Sequence, residues 1–345
     1  MKKQLQVGLI GYGYVGKTFH APLIAATPGL KLAAIASSRP LVVNADWPEV
    51  DVEPDAEALI ARRDLDLIVI ATPNDSHAAL ARAALLAGHH VVVDKPFTLT
   101  VAEAEGLAAL AQETGRRLSV FHNSRWHADF IAVRAALAAG RIGEVKQFES
   151  RIDRFRPVVR PRWRESAQPG AGLWYDFGPH LVDQALQLFG MPQTVWADLA
   201  LRREGAQSDD DVHVVLGYRD LRVVLGASNL AVGGSHRFLV HGSSGSLVVD
   251  GVDSQAEQLR AGVRPGHPAW AFDARQLTIY TEIDGETRLQ HVDLPRGEYT
   301  AYYAGMRDAM LGVGPNPVMP SDAVAVMRVI EAGIASAQSG RRVSL

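Results

Sequence analysis

The chain contains no cysteine, which excludes disulfides, thiolate nucleophiles, iron-sulfur clusters and cysteine-ligated zinc and leaves stability to packing. It also lacks an excess of charge of either sign. With 35 Lys and Arg against 38 Asp and Glu the net charge is −3 over 345 residues, so no partnership with nucleic acid or an anionic membrane is expected. No apolar run approaches the ~18 residues that a membrane span needs. The basic start Met1-Lys2-Lys3 leads only to Val7–Ile10 before Gly11 and Gly13 interrupt, too short for a signal-peptide core. A cytoplasmic protein is expected. What is present, 47% hydrophobic and 21% charged residues, is the composition of an ordinary globular protein, and its length is a soft prior for two domains.

Up to about residue 121, short apolar runs at 5–10, 32–36, 67–71, 91–93 and 118–121 alternate with Ala- and Leu-rich segments of helical spacing at 19–26, 55–61, 76–87 and 101–113. Continuous apolar strands separated by helices mean that both sheet faces are covered, the pattern of a doubly wound parallel sheet. After residue 121 two helices are expected, at 128–138 and 173–189, each stopped by glycine. Strands then follow one another directly, among them 212–216, 221–227, 237–241 and 246–249, which indicates a mostly antiparallel sheet. Two more helical patterns lie at 299–311 and 323–337, and the segment 251–275 reads as loop or short helix. The expected class is α/β, with a Rossmann domain over 1–121 and an α+β domain with an open-faced sheet over 122–345.

Gly11-Tyr12-Gly13-Tyr14-Val15-Gly16 follows the first strand and opens the first helix. In such a motif one glycine makes the turn, the next lets the backbone approach a pyrophosphate, and the third allows close helix–strand packing with the helix N-terminus facing the anion. A plain glycine-rich turn is the alternative; the flanking strand and helix favour dinucleotide binding. An acidic residue at the end of the second strand would bind an NAD ribose. Here stand Ser37-Ser38-Arg39, and an arginine with hydroxyls suits a 2′-phosphate, so NADP is preferred over NAD.

Val91-Val92-Val93-Asp94-Lys95-Pro96 places Lys95 at the C-terminal end of a parallel strand, where such folds bind ligands and where an ammonium can stabilise negative charge on a substrate oxygen. Asp176 and His180 are four residues apart. On a helix starting near Tyr175 they share a face with Gln184 and Gln187, opposite Phe177, Leu181, Ala185 and Leu188. That face could simply meet solvent, but a histidine beside a carboxylate is also a credible general base near neutral pH. The pair could hint at a metal, yet no third or fourth ligand stands at suitable spacing, and no metal is expected.

In this order and spacing these motifs, with Thr72-Pro73-Asn74, His77 and Asn123, resemble the glucose-fructose oxidoreductase / inositol dehydrogenase / rhizopine-catabolism family of NAD(P)-dependent oxidoreductases over essentially the whole chain. Phe19-His20-Ala21-Pro22-Leu23, Val120-Phe121-His122-Asn123, Asp153-Arg154-Phe155-Arg156-Pro157 and Arg162-Trp163-Arg164-Glu165 look closer to its NADP-dependent scyllo-inositol 2-dehydrogenase branch. Asp94 stands where many members carry glutamate, and Ser124 separates Asn123 from Arg125 where arginine is expected. The resemblance implies that Lys95, Asp176 and His180 act together on a secondary alcohol and that Thr72, Pro73, Asn74, His77, Asp94 and Asn123 belong to the cofactor side. It also implies that Arg154, Arg162 and Trp163 approach a polyol or sugar, and that the second sheet makes homodimer or homotetramer contacts. A dehydrogenase of aldoses or dihydrodiols, or a non-catalytic NADP-binding sensor, are the alternatives.

Overall fold

Six short strands form a wholly parallel sheet: β1 (Leu5–Ile10), β2 (Leu30–Ala36), β3 (Asp51–Glu53), β4 (Leu67–Ile70), β5 (His90–Val93) and β6 (Leu118–Val120), in the order β3-β2-β1-β4-β5-β6. This computed structural model describes residues 4–345; Met1, Lys2 and Lys3, where the leader-peptide reading began, lie outside the described residues. β4 is buried at every position, which is why its sequence is continuously apolar instead of alternating. The connecting helices are α1 (Ala21–Ala25), entered through a π-helical turn at Gly16–His20, α2 (Pro40–Asp46), α3 (Ala56–Ala61), α4 (His77–Leu86) and α5 (Val101–Glu113). Local chemistry starts two of them: the Asp55 carboxylate accepts from Ala58 N at 2.9 Å, and Thr100 and Glu103 form a reciprocal capping box at α5. β3 and α2 fall where no element was expected, both being short and weakly patterned.

Next come α6 (Ala128–Ala138), β7 (Val145–Asp153) and α7 (Leu173–Phe189). β8 (Thr194–Ala200), β9 (Asp211–Gly217), β10 (Arg222–Ser228), β11 (His236–Gly242) and β12 (Gly245–Asp250) follow in series. The short helix α8 (Gln255–Arg260) lies inside 251–275, the segment read as loop or short helix, and β13 (Gln276–Ile283), β14 (Glu286–Asp293), α9 (Tyr299–Met310), α10 (Pro320–Ser339) and β15 (Val343–Ser344) complete the chain. The nine strands pair as β14-β13-β12-β11-β7-β10-β9-β8-β15, antiparallel except between β7 and β10. Burial alternates along β9, where Val212, Val214 and Leu216 are buried while His213 is exposed. One face therefore carries the apolar residues and the other stays open, as an antiparallel sheet allows.

Two compact units result. The first comprises residues up to Asn123 together with Gln255–Ala271 and Glu298–Val324; the second comprises Ser124–Ser254, Phe272–Gly297 and Ala325–Leu345. Each unit is therefore discontinuous along the chain, and two segments from beyond residue 121 pack with the first. The reason is aromatic burial. α9 buries Tyr299, Tyr302, Tyr303 and Met306, with the Tyr302 ring edge-on to Phe121 at a centroid distance of 4.9 Å and its hydroxyl donating to Ser119 Oγ at 2.9 Å. In the second unit the Trp174 indole of α7 donates to Ile330 O of α10 at 3.0 Å, and Gly178 and Gly333 give its ring room.

Candidate functional site

The glycine loop sits at the C-terminal end of β1, and the chain is helical from residue 14 onward. Gly11 has φ +96°, and a Cβ there would stand 2.7 Å from Ala71 O; at Gly16 it would stand 2.0 Å from Gly11 O. Gly13 is different, because a Cβ there would meet nothing within 4 Å and would project into open space. Turn, close approach and tight packing are thus divided among the three glycines as a dinucleotide pyrophosphate requires. An open cleft of about 460 Å³ lies over this loop, lined by Gly11, Tyr12, Gly13, Ser37, Ser38 and Arg39, with Thr72 and Pro73 across it.

The Arg39 side chain donates from Nη2 to the Tyr12 carbonyl at 2.6 Å, which holds its guanidinium beside the loop. Tyr12 itself points inward: its hydroxyl donates to Asp46 Oδ2 at 2.9 Å and accepts from Trp47 Nε1 at 2.8 Å, and Lys17 pairs with Asp46 at 2.6 Å. Burial, reinforced by Asp46, raises the phenol pKa, so Tyr12 stays a neutral anchor. Asp55, Asp75 and Ser76 also line the cleft. Sequence reasoning missed them as site residues, although Asp55 was visible as a helix start.

Tyr14 is exposed, Val15 half-buried and Gly16 buried at the start of the first helix. Asn74, His77, Asp94 and Asn123 are buried. His77 works as a brace: Nδ1 lies 2.8 Å from Pro96 O and Nε2 3.1 Å from Thr72 O, so one ring ties the loop after β4 to the loop after β5. Its burial lowers its pKa and keeps the ring neutral. Burial alone would push the Asp94 carboxyl up, but the imidazole of His20, 3.7 Å away, together with the charge of Lys95 more than offsets this and holds it below its ordinary value. His20 Nδ1 in turn lies 2.5 Å from the Tyr303 hydroxyl. Lys95 follows this buried carboxylate, half-buried at the end of β5, and the Lys95–Pro96 peptide is cis.

In the second unit α7 runs over the expected span Leu173–Phe189, so Pro179 lies inside the helix and not in a first turn begun near Tyr175. The reason is a cap from outside the helix. Asp209 supplies its carbonyl to Leu173 N at 2.8 Å and Oδ2 to Trp174 N at 2.6 Å, pairing donators of the first turn that would otherwise be orphaned. Its carboxyl is pushed up by burial to about 6.

Asp176 and His180 are both half-buried on α7. Asp176 Oδ1 lies 3.7 Å from Arg164 Nε, and His180 Nδ1 lies 3.1 Å from Ser124 Oγ. The serine that interrupts the expected Asn-Arg pair therefore touches the histidine, a role that no spacing rule announced. Gln184, expected on the same face, is fully buried: it donates to Ser124 O at 2.8 Å and accepts from Arg237 Nη2 at 2.6 Å. Arg125 is buried in a forked pair with Asp183 at 2.6–3.2 Å. A buried polar network thus fixes Ser124, and Ser124 meets the imidazole. Arg154 stacks its guanidinium 4.4 Å from the centre of the Phe177 ring, while Arg162 and Trp163 border a separate cavity.

A parallel sheet in this strand order with a three-glycine loop under an open cleft defines a dinucleotide-binding protein. The chain matches the family described as oxidoreductase family, NAD-binding Rossmann fold, over residues 5–122, and oxidoreductase family, C-terminal alpha/beta domain, over residues 134–345. It belongs to the glucose-fructose oxidoreductase / inositol dehydrogenase / rhizopine-catabolism (Gfo/Idh/MocA) family of oxidoreductases. It is 53% identical over 339 residues to uncharacterized oxidoreductase YdgJ of Escherichia coli K12, covering 98% of each chain. It is 32% identical over 343 residues to the scyllo-inositol 2-dehydrogenase (NADP(+)) IolW of Bacillus subtilis, covering 99% of this chain and 96% of the relative. The solved structure of the YPO2259 putative oxidoreductase from Yersinia pestis superposes with a TM-score of 0.96 at 48% identity, covering 100% of this chain and 98% of that one. Among the described residues no helix is long and apolar enough to cross a membrane, and no group of three or more His, Asp or Glu side chains could hold a metal ion.

Proposed function

We propose that the protein is an NADP-preferring dehydrogenase that interconverts a secondary alcohol of a cyclic polyol or sugar and its ketone. The observation that carries the cofactor preference is Ser37-Ser38-Arg39 at the cleft, with Arg39 held against the glycine loop by its 2.6 Å bond to Tyr12 O. The similarity to an enzyme named for scyllo-inositol and NADP(+) supports the same reading. The first unit binds the dinucleotide through residues 11–16, Ser37, Ser38, Arg39, Thr72 and Pro73, with Asn74, His77, Asp94 and Asn123 shaping the loops behind. When bound, NADP supplies the two-electron acceptor for the alcohol carbon.

The chain's own side chains handle the proton and the charge. Lys95 hydrogen-bonds the reacting oxygen and stabilises negative charge on it. Ser124 Oγ at His180 Nδ1 assigns Nε2 to the hydroxyl proton, and Asp176 favours the cationic ring that results. Arg154, Arg162 and Trp163 present donors and an apolar wall to the substrate. The open face of the second sheet supplies homodimer or homotetramer contacts, and the enzyme works in the cytoplasm, where NADP(H) is available.

The test is NADP- and NAD-linked oxidation of inositol isomers, aldoses and dihydrodiols, with the highest kcat/KM expected for NADP and a cyclic polyol or sugar. Lys95→Ala is expected to lower kcat at least 100-fold with little change in NADPH affinity. Undiminished turnover in that variant would remove Lys95 from the chemistry, and cofactor binding without turnover on any substrate would replace the enzyme with an NADP-binding sensor.

A further inference from the structure

The loop between β7 and α7 builds a second cavity of about 490 Å³, whose wall includes Arg160, Arg162, Trp163, Glu165, Ser166 and Gln207. It adjoins the face of α7 that bears Asp176: Arg164 stacks 4.3 Å from the centre of the Trp163 ring and reaches Asp176 at 3.7 Å. Its charge is unbalanced. Glu165 is saturated, with Oε1 accepting from Arg162 Nε at 2.6 Å and Oε2 from Arg160 N at 3.1 Å and facing Arg203 Nη2 at 3.0 Å. Arg203 also pairs with Asp210 at 2.8 Å. Asp209 is turned to the backbone of α7. In and around its wall the guanidiniums of Arg160, Arg162, Arg164 and Arg203 meet the carboxylates of Glu165, Asp176 and Asp210, an excess of one positive charge among these side chains.

Arg160, on the cavity wall, makes no ion pair among the described residues, nor does Arg156, which is not one of the wall residues. Arg156 is half-buried, and its pKa is lowered by that burial and by the like charges of Arg160 and Arg162, against which Asp176 and Glu165 act in the opposite direction. Holding several guanidiniums together over a cavity costs free energy that a bound anion would recover, because forked donors match carboxylate and phosphate oxygens. An uncharged polyol would offer these side chains only neutral hydrogen-bond partners.

We propose that this cavity receives an anionic group of the substrate, so that the polyol or sugar oxidised at His180 carries a carboxylate or a phosphate. The inference rests on the dehydrogenase reading of Asp176 and His180 given above. Arg160 and Arg162 are the specificity-determining residues on its wall, with Trp163 beside them on the side of the polyol.

The experiment compares NADP-linked kcat/KM for myo- and scyllo-inositol and glucose with that for glucuronate and gluconate (carboxylate arm) and for inositol monophosphate and glucose 6-phosphate (phosphate arm). It uses the wild-type protein, Arg160→Gln/Arg162→Gln, and the exposed single variant Arg160→Gln should the double variant not fold. At least one anionic arm is expected to exceed its neutral counterpart about 10-fold or more, with KM rising as salt is added. The ratio of anionic to neutral kcat/KM should fall about 10- to 100-fold in the double variant, as for loss of charge-assisted hydrogen bonds. The arm that shows this separates carboxylate from phosphate. Neutral substrates matching or exceeding both arms, with a ratio insensitive to the substitutions, would overturn the inference while leaving the dehydrogenase intact. If no substrate of any kind reduces NADP, the dehydrogenase reading fails by itself. Calorimetric titration of gluconate and inositol monophosphate into NADPH-loaded wild type and variant then decides the cavity: absent or substitution-independent binding refutes it, and binding weakened at least 10-fold by the substitutions supports it.

Discussion

Adding one methyl group to the glycine loop at two positions three residues apart is expected to give opposite results. At Gly16 an alanine Cβ would stand 2.0 Å from the Gly11 carbonyl oxygen, more than 1 Å inside an ordinary contact of about 3.3 Å. Gly11 cannot easily yield, because its N–H bonds Ala36 O at 3.1 Å and its φ of +96° is tied to its own lack of a side chain. A net cost of about 2–4 kcal/mol is expected after crediting alanine with its helix preference of about 1 kcal/mol. At about 2–4 °C per kcal/mol for a unit of this size, Gly16→Ala should lower Tm by roughly 4–16 °C. At Gly13 the same methyl meets nothing within 4 Å and φ is not in the left-handed region, so Tm should hold or rise slightly through reduced unfolded-state entropy. The methyl instead occupies the approach to the cleft, and dinucleotide affinity should fall about 10- to 100-fold, roughly 1.4–2.8 kcal/mol. Thermal melts without ligand and fluorescence titrations with NADPH and NADH measure both quantities. A Gly13→Ala protein that binds NADPH as the wild type does would show that the loop is not the pyrophosphate cradle. An unchanged Tm in Gly16→Ala would show that the close helix–strand contact carries no strain.

Arg39→Ala removes a charged donor from the cleft and should weaken NADPH about 10- to 100-fold while changing NADH less than about 3-fold; equal losses for the two cofactors would refute the 2′-phosphate assignment. Ser124→Ala removes the hydroxyl 3.1 Å from His180 Nδ1 and should lower kcat about 5- to 10-fold and move the pH–rate profile, with partial recovery in Ser124→Thr. A kcat and profile identical to wild type would dismiss Ser124 as a positioning residue. For Asp209, the folded-state pKa of about 6 lies above its unfolded value near 3.8, so the folded protein keeps a proton that the unfolded chain has already lost. This group's contribution to stability therefore falls as pH rises from about 4 to about 6 and is level above that, by at most about 3 kcal/mol. Asp209→Asn should flatten that part of the stability–pH curve in denaturant titrations, and a curve with the wild-type slope would contradict the burial argument.

The strands and helices of the first unit were legible because doubly buried parallel strands write continuous apolar runs such as Leu67–Ile70, and because caps such as Asp55 and Thr100–Glu103 act through neighbours in sequence. The glycine loop was legible for the same reason, since its demands are local backbone demands. The span of α7 was legible from its periodicity and its closing glycine, but its cap was not, because Asp209 is 35 residues from Trp174 along the chain. His77 and Asp94 could be named from their motifs, but not their roles as a brace between loops and as a buried partner of His20.

By itself the sequence determined where most strands and helices of the first unit run, where the three-glycine loop stands, and which residue types stand at the ends of β2 and β5, since these depend on side-chain periodicity and on φ and ψ over a few residues. Tertiary structure alone decided that α8 and α9 join the first unit, that Ser124 meets His180, and that Arg160 and Arg162 share the wall of one cavity with a single carboxylate, Glu165. Burial, cap partners at a distance and the addition of charge through space are properties of positions in three dimensions, and no spacing along the chain encodes them.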